Sequence, residues 1–233
     1  MLLFILLIII AIVGYGLYYI GDYYHSEVDI QKFNNSDVNI KTTSNGLLLD
    51  SYGNNTALIF YPGAKVEYTS YIPLLDKLAE NGVDCFIVEM PFNIAMFGKD
   101  NAGVLMSNNS YNYTNWYLAG HSLGGAMVTE YASNHEENVN AIILLSSYST
   151  TNISVPVLSI MASEDHILNK KNYEINKKNI HSNFTEYVIE GGNHAQFASY
   201  GNQKGDGIAS ISAEEQKNLT ANKILSFINL TSK

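Results

Sequence analysis

Cysteine occurs once in the 233 residues, at Cys85, so no disulfide can form within the chain. Its setting in the apolar stretch 83–88 marks a core residue rather than a reactive thiol. Basic side chains are also scarce: 13 Lys and Arg stand against 22 Asp and Glu, giving a net charge of -9. The basic residues do not cluster, so the electrostatic footprint of a nucleic-acid binder is missing and no nucleic-acid partner is expected. No metal-ligand spacing and no phosphate-cradling glycine loop is found, so neither a metal nor another cofactor is expected. Gly205-Asp206-Gly207 resembles a fragment of a calcium loop, but the other regularly spaced oxygen ligands are missing. Asn-x-Ser/Thr triplets such as Asn112-Tyr113-Thr114 carry little information in so Asn-rich a chain. There is no internal repeat.

Charge is absent altogether from Met1 to Ile20, and that stretch is about as long as a helix needs to cross a bilayer. A cleaved secretory signal would share the apolar run, but the basic start and the small residues before a cleavage point are not evident. Tyr15, Tyr18, Tyr19, Tyr23 and Tyr24 resemble an aromatic belt at a membrane interface. The expectation is a single-pass anchor over 1–21 and a polar tether over 22–36. Asp22, Glu27 and Asp29 precede the first basic residue, Lys32, which favours an extracytoplasmic domain over 37–233.

Within that domain, apolar runs rich in β-branched and aromatic residues predict buried strands at 38–41, 46–50, 57–61, 84–89, 116–119, 141–146, 155–161 and 184–189. Helix signals lie between them. Ser70 reads as the cap of a helix stopped by Gly82, with Pro73 in its first turn. A second helix runs from Ser122 to Tyr131, and Ser212 with Glu215 forms a capping box for the last one. The alternation indicates an α/β fold with a mostly parallel sheet and helices on both faces. The short link from the strand near Leu145 to the next leaves no room for a sizeable lid.

Gly120-His121-Ser122-Leu123-Gly124 sits between a predicted strand and a predicted helix, the context of a nucleophile elbow. Glycines at 120 and 124 suit a turn too tight for flanking side chains, and Ser122 is the candidate nucleophile. A serine hydroxyl needs a base, and the base needs a carboxylate to fix its tautomer. His194, in a Gly-bearing loop after the last strand, is the expected base; His166 is its rival, and His121 is read as a pocket-wall residue facing away from the base. Asp165, in the loop after the strand ending near Met161, is the expected acid, with Glu164 adjacent. Oxyanion donors are expected from the backbone N–H groups of Leu123 and of Ala64, or next Lys65, in the loop after the strand 57–61.

Several stretches together resemble the lid-less, dienelactone-hydrolase-like branch of the α/β-hydrolases, bacterial proteins often bearing an N-terminal hydrophobic segment. They are Ile59 to Glu67, Met90 to Ala95, the Ser122 elbow, and Gly191 to Phe197 continuing through Tyr200-Gly201 to Gly207. The resemblance implies Ser122, Asp165 and His194 as a triad, with Ala64 and Leu123 as oxyanion donors, and places Asn93 and Gln196 near the site. Dienelactone hydrolases proper use a cysteine where this chain has Ser122. The expected activity is therefore cleavage of a small-molecule ester-like bond, with thioester or amide cleavage, or a non-catalytic binding role, as alternatives.

Overall fold

The computed structural model describes residues 2–33, 37–51 and 53–232. Helix α1, Leu2–Gly21, comes first, and most of its described side chains are exposed. It is long and apolar enough to cross a membrane, a test that a signal sequence also passes. The strands that follow are β1 (Asn39–Thr43), β2 (Gly46–Asp50), β3 (Thr56–Tyr61), β4 (Asp84–Val88), β5 (Asn115–His121), β6 (Ala141–Leu145), β7 (Val157–Ala162) and β8 (Phe184–Ile189). The remaining helices are α2 (Ile72–Ala79), α3 (Asn101–Met106), α4 (Leu123–Ala132), α5 (Lys170–Asn176) and α6 (Ala213–Thr231).

One eight-stranded sheet results, in the order β1-β2-β4-β3-β5-β6-β7-β8. β2 runs antiparallel to both β1 and β4, and every pairing from β4 through β8 is parallel. The α/β fold expected from the alternation is present. Parallel strands put all their C-terminal ends, and the loops that leave them, along one edge. Side-chain alternation then divides the core in two. Leu58, Phe60, Ala119, Ile143 and Leu158 face α2 and α6, while Ala57, Ile59, Tyr61, Leu118 and Ile142 face the side covered by α3 and α4. Full burial of each such Leu, Ile or Phe side chain stabilises the fold by about 1.5–3 kcal/mol. Cys85 lies in the first of these cores, fully buried, where desolvation pushes its thiol pKa well up.

Several boundaries differ from the sequence expectation. β7 begins at Val157 rather than Val155 because Pro156 has no N–H for a ladder bond. Ser70 does not cap α2: it belongs to a 3-10 turn over Tyr68–Tyr71, and its buried hydroxyl has no partner among the described residues. Gly82, at φ 85°, does end that segment, in a conformation glycine adopts without penalty. Ser212 accepts from the Glu215 N–H at 3.1 Å, as a cap for α6. The connection 146–156 carries neither helix nor named strand, so no lid covers this part of the sheet edge. Of the segment read as a tether, residues 34–36 fall outside the described part, and residues 22–27 are docked. Tyr24 forms a bridge with Val66, Glu27 N–H donates to Ser199 O, and the Tyr24 ring packs on Tyr200. Tyr24 thus packs on the domain.

Candidate active site

Ser122 occupies the sharp turn between β5 and α4, at φ 53° and ψ -123°, a conformation that is strained for a residue bearing a Cβ. The backbone around it is fully engaged. Its N–H donates to Leu145 O at 3.0 Å, and its carbonyl accepts from Ser147 Oγ at 2.6 Å and Gly125 N–H at 3.1 Å. A Cβ at position 124 would overlap the carbonyl oxygens of Tyr61 and Pro62, and one at 120 would overlap the Gly124 backbone. The expected need for glycine at both positions is therefore met by atoms that cannot move aside. Leu123 is the first residue of α4, so its N–H has no carbonyl one turn earlier to bond.

Beside the elbow runs the loop leaving β3. Here Gly63 N–H donates to the Tyr71 hydroxyl at 3.0 Å and Lys65 N–H donates to Asn93 O at 2.7 Å. Of the two donors weighed in this loop, Lys65 is therefore committed, whereas the Ala64 N–H meets no acceptor among the described residues. Asn93 reaches the site as a backbone acceptor for this loop. Gln196, also expected nearby, donates its side-chain amide to Ile211 O at 3.3 Å and leaves its buried Oε1 without a partner among the described residues.

Asp165 and His194, from the loops after β7 and β8, meet through Asp165 Oδ2 and His194 Nδ1 at 2.8 Å, both almost completely buried. The second carboxylate oxygen accepts the N–H groups of Ile167 and Leu168, each at 2.8 Å. Burial alone would raise the Asp165 pKa; the His194 hydrogen bond and charge, with the Leu168 N–H, outweigh it and hold the carboxyl well below the usual carboxylate range. Glu164 instead accepts from Ser163 Oγ, and the rival His166 is exposed. Ser122 Oγ forms no hydrogen bond to His194 and opens onto a cleft of about 370 Å³ lined by Leu123, Ala126, Met127, Ile167 and Leu168 among others. Such a bond commonly tightens only when substrate is bound. A larger hollow of about 610 Å³ lies at the opposite end of β5, around Trp116 and Tyr131, away from these groups.

His121 departs from expectation. Its ring does not turn away from the base but packs on it, with centroids 4.3 Å apart, and its Nδ1 lies 2.8 Å from the Tyr71 hydroxyl. Burial first, and the neighbouring His194 second, lower its pKa well below the ordinary value, so it is neutral. Asp206 and Gln216 were also not singled out as organising residues. Asp206 accepts the N–H groups of Ala195, His166 and Gly207, tying the His194 loop to the Asp165 loop. Gln216, buried on α6, accepts from Asn193 N–H at 3.0 Å and donates to Asn193 O at 2.8 Å. The only sequence signal for either was the Gly205-Asp206-Gly207 stretch, whose Gly207 has no space for a Cβ against Glu164 O.

Comparison with known proteins accords with the fold. The sequence profile described as the alpha/beta hydrolase family matches residues 57–218. The chain belongs to that family. Among solved structures, this α/β-hydrolase is similar to a dienelactone hydrolase from Anabaena variabilis, at 13% identity and a TM-score of 0.61 over 82% of this chain and 98% of that one. It is similar too to Est1E from Butyrivibrio proteoclasticus in its complex with ferulic acid: 13% identity, TM-score 0.60, 83% of this chain and 97% of that one. Alpha/beta hydrolase domain-containing protein 10 from mouse aligns at 13% identity and a TM-score of 0.60, over 84% of this chain and all of that one. At such identities the likeness establishes the fold. No curated protein matches the chain by sequence.

Proposed function

We propose that this hydrolase cleaves an ester-like acyl bond of a small-molecule substrate, with Ser122 as nucleophile, His194 as general base and Asp165 as the acid that orients it. The observation that carries the reading is the buried 2.8 Å bond from His194 Nδ1 to Asp165, formed at the same sheet edge as the strained Ser122 turn. A proton on Nδ1 leaves Nε2 as the acceptor nitrogen. As Ser122 Oγ bonds to the acyl carbon, Nε2 takes the hydroxyl proton and the carbonyl π electrons move onto oxygen. The Ala64 and Leu123 N–H groups receive that oxyanion. Collapse breaks the bond to the alcohol oxygen, which takes the proton from His194, leaving an acyl-serine. Water, deprotonated by the same nitrogen, then releases the acid and restores Ser122.

Helix α1 serves in this reading as an uncleaved, single-pass membrane anchor for an extracytoplasmic domain. Its uncharged length and the acidic residues that follow support it. Resistance to alkaline extraction, with the domain open to protease added outside intact cells, is the expected result.

Fluorophosphonate labelling tests the chemistry. Labelling of the folded chain and its loss in Ser122→Ala are expected, while absence of labelling at Ser122 in a folded sample would sink the proposal. Turnover of p-nitrophenyl esters is expected to exceed that of acyl-thioester and anilide substrates; faster thioester or anilide cleavage would reassign the bond.

A further inference from the structure

The loop that offers the Ala64 N–H is fastened directly to the end of α1. Lys65 Nζ pairs with Asp22 Oδ2 at 3.0 Å and lies 4.2 Å from the centre of the Tyr19 ring. Tyr24 N–H donates to Lys65 O at 2.7 Å, and Glu67 N–H returns a bond to Tyr24 O at 3.0 Å. Helix α1 also touches the Pro91–Asn93 turn. Only Asp22 and Tyr23 separate the last residue of α1 from Tyr24, which bridges Val66, a span of at most about 10 Å even when fully extended. If α1 spans a bilayer, the sheet edge that carries Ser122 cannot stand far above the membrane.

The surface beside the end of α1 is apolar. In the segment between β4 and α3, Phe92, Met96 and Phe97 are 53%, 56% and 60% exposed, and the two phenylalanine rings meet edge to face at 5.8 Å. Phe92 and Asn93 both hold left-handed backbone, at φ 57° and 55°. That is an uncommon state for a bulky aromatic, and such strain is retained where surroundings or function demand it. Three large apolar side chains displayed together, adjoining the end of an apolar helix, suit the headgroup-acyl boundary better than water. The cleft beside Ser122 continues the theme, since Leu123, Ala126, Met127, Ile167 and Leu168 supply an alkyl-compatible wall and no lid closes it.

From these features we infer that the Phe92-Met96-Phe97 surface dips into the lipid interface and that the substrate is an acyl ester resident in the same bilayer as α1. The inference rests on the hydrolase and anchor readings above. Its occupant is a lipid surface rather than a protein, because the patch adjoins α1 and is held to it by the Lys65 contacts. The lipid would enter sideways, its acyl carbonyl rising only the short distance from the interface to Ser122.

The test uses the full chain in phosphatidylcholine nanodiscs, with a fluorogenic long-chain diacylglycerol in the disc and p-nitrophenyl acetate in solution as alternative substrates. Fluorophosphonate titration of Ser122 counts active sites in every sample. Phe97→Asp combined with Met96→Asp is expected to lower the ratio of bilayer to soluble turnover about tenfold or more, the effect of losing interfacial burial of two large side chains. Brominated acyl chains are expected to quench the emission that Phe97→Trp adds over the native Trp116, which lies at the far end of β5. An unchanged ratio with unquenched emission, in samples whose Ser122 still labels, would overturn the inference while leaving the hydrolase reading standing. Chains that associate through this face in detergent would likewise overturn it, giving the patch to a second copy. Failure of labelling in every sample would instead count against the hydrolase reading, and with it the inference.

Discussion

Asp165→Asn offers a test whose size follows from the hydrogen bonds around one carboxylate. Oδ1 accepts two backbone N–H groups, from Ile167 and Leu168, and Oδ2 accepts His194 Nδ1–H, all at 2.8 Å. An asparagine can accept from Nδ1–H only by placing its amide oxygen toward His194, which aims its NH2 group at the two backbone donors. Those donors are fixed in the chain and buried, and leaving both unsatisfied costs about 2–6 kcal/mol. The amide therefore settles the other way, oxygen toward the backbone and NH2 toward Nδ1. His194 must then carry its proton on Nε2, the nitrogen that has to receive the Ser122 proton. With each 1.4 kcal/mol worth a factor of ten, the productive orientation is rarer by roughly one and a half to four orders of magnitude, and kcat should fall by at least that much. The assay is turnover of p-nitrophenyl acetate alongside the rate of fluorophosphonate labelling, with thermal melting to establish that the variant is folded. Activity within about tenfold of the natural chain would refute the tautomer argument.

Three further outcomes follow from the same structure. Gly124→Ala places a Cβ against the Tyr61 and Pro62 carbonyls, so chemical denaturation should show a loss of about 1–3 kcal/mol or more, or no soluble protein at all; unaltered stability would mean that the turn is looser than described. Gln216→Ala strips both hydrogen bonds from the Asn193 backbone, and both melting temperature and kcat should drop, since the loop bearing His194 loses its clamp; a drop in stability alone would separate the clamp from the chemistry. Asp76 is raised from 3.8 to about 6 by burial first and by Glu80 second, while Lys77 works the other way. A raised acid pKa means that the unfolded chain releases this proton more readily, so stability falls as pH climbs from about 4 to 7. Asp76→Asn should thus stabilise the protein by about 1 kcal/mol at pH 7.5, after allowance for solvent screening, and bring little gain at pH 4. An equal gain at both pH values would contradict the assignment.

What could be read from the sequence was whatever leaves a local imprint. The apolar runs at 57–61 and 141–146, the Gly82 stop and the Ser212 cap all act within a few residues of themselves, and each appears where expected. So does the glycine pattern around Ser122, because a Cβ clash is decided by the turn itself. Contacts across the chain leave no such imprint. Tyr71 meeting His121, Gln216 clamping Asn193, and Tyr24 bridging Val66 join residues 23 to 50 positions apart through polar groups that carry no period. Short polar helices escaped for a related reason: α5, with Tyr173 as its single buried residue, has too little apolar face to register.

The seclusion of Cys85 has a practical side. The native chain presents no surface thiol to a maleimide or a spin label, since its single sulfur is fully buried and held in its unreactive protonated form. Any cysteine placed on the exterior becomes a unique chemical handle without first removing the natural one. A reporter could be attached at successive points from Asp22 to Phe97, and the depth of this hydrolase at an interface mapped one residue at a time.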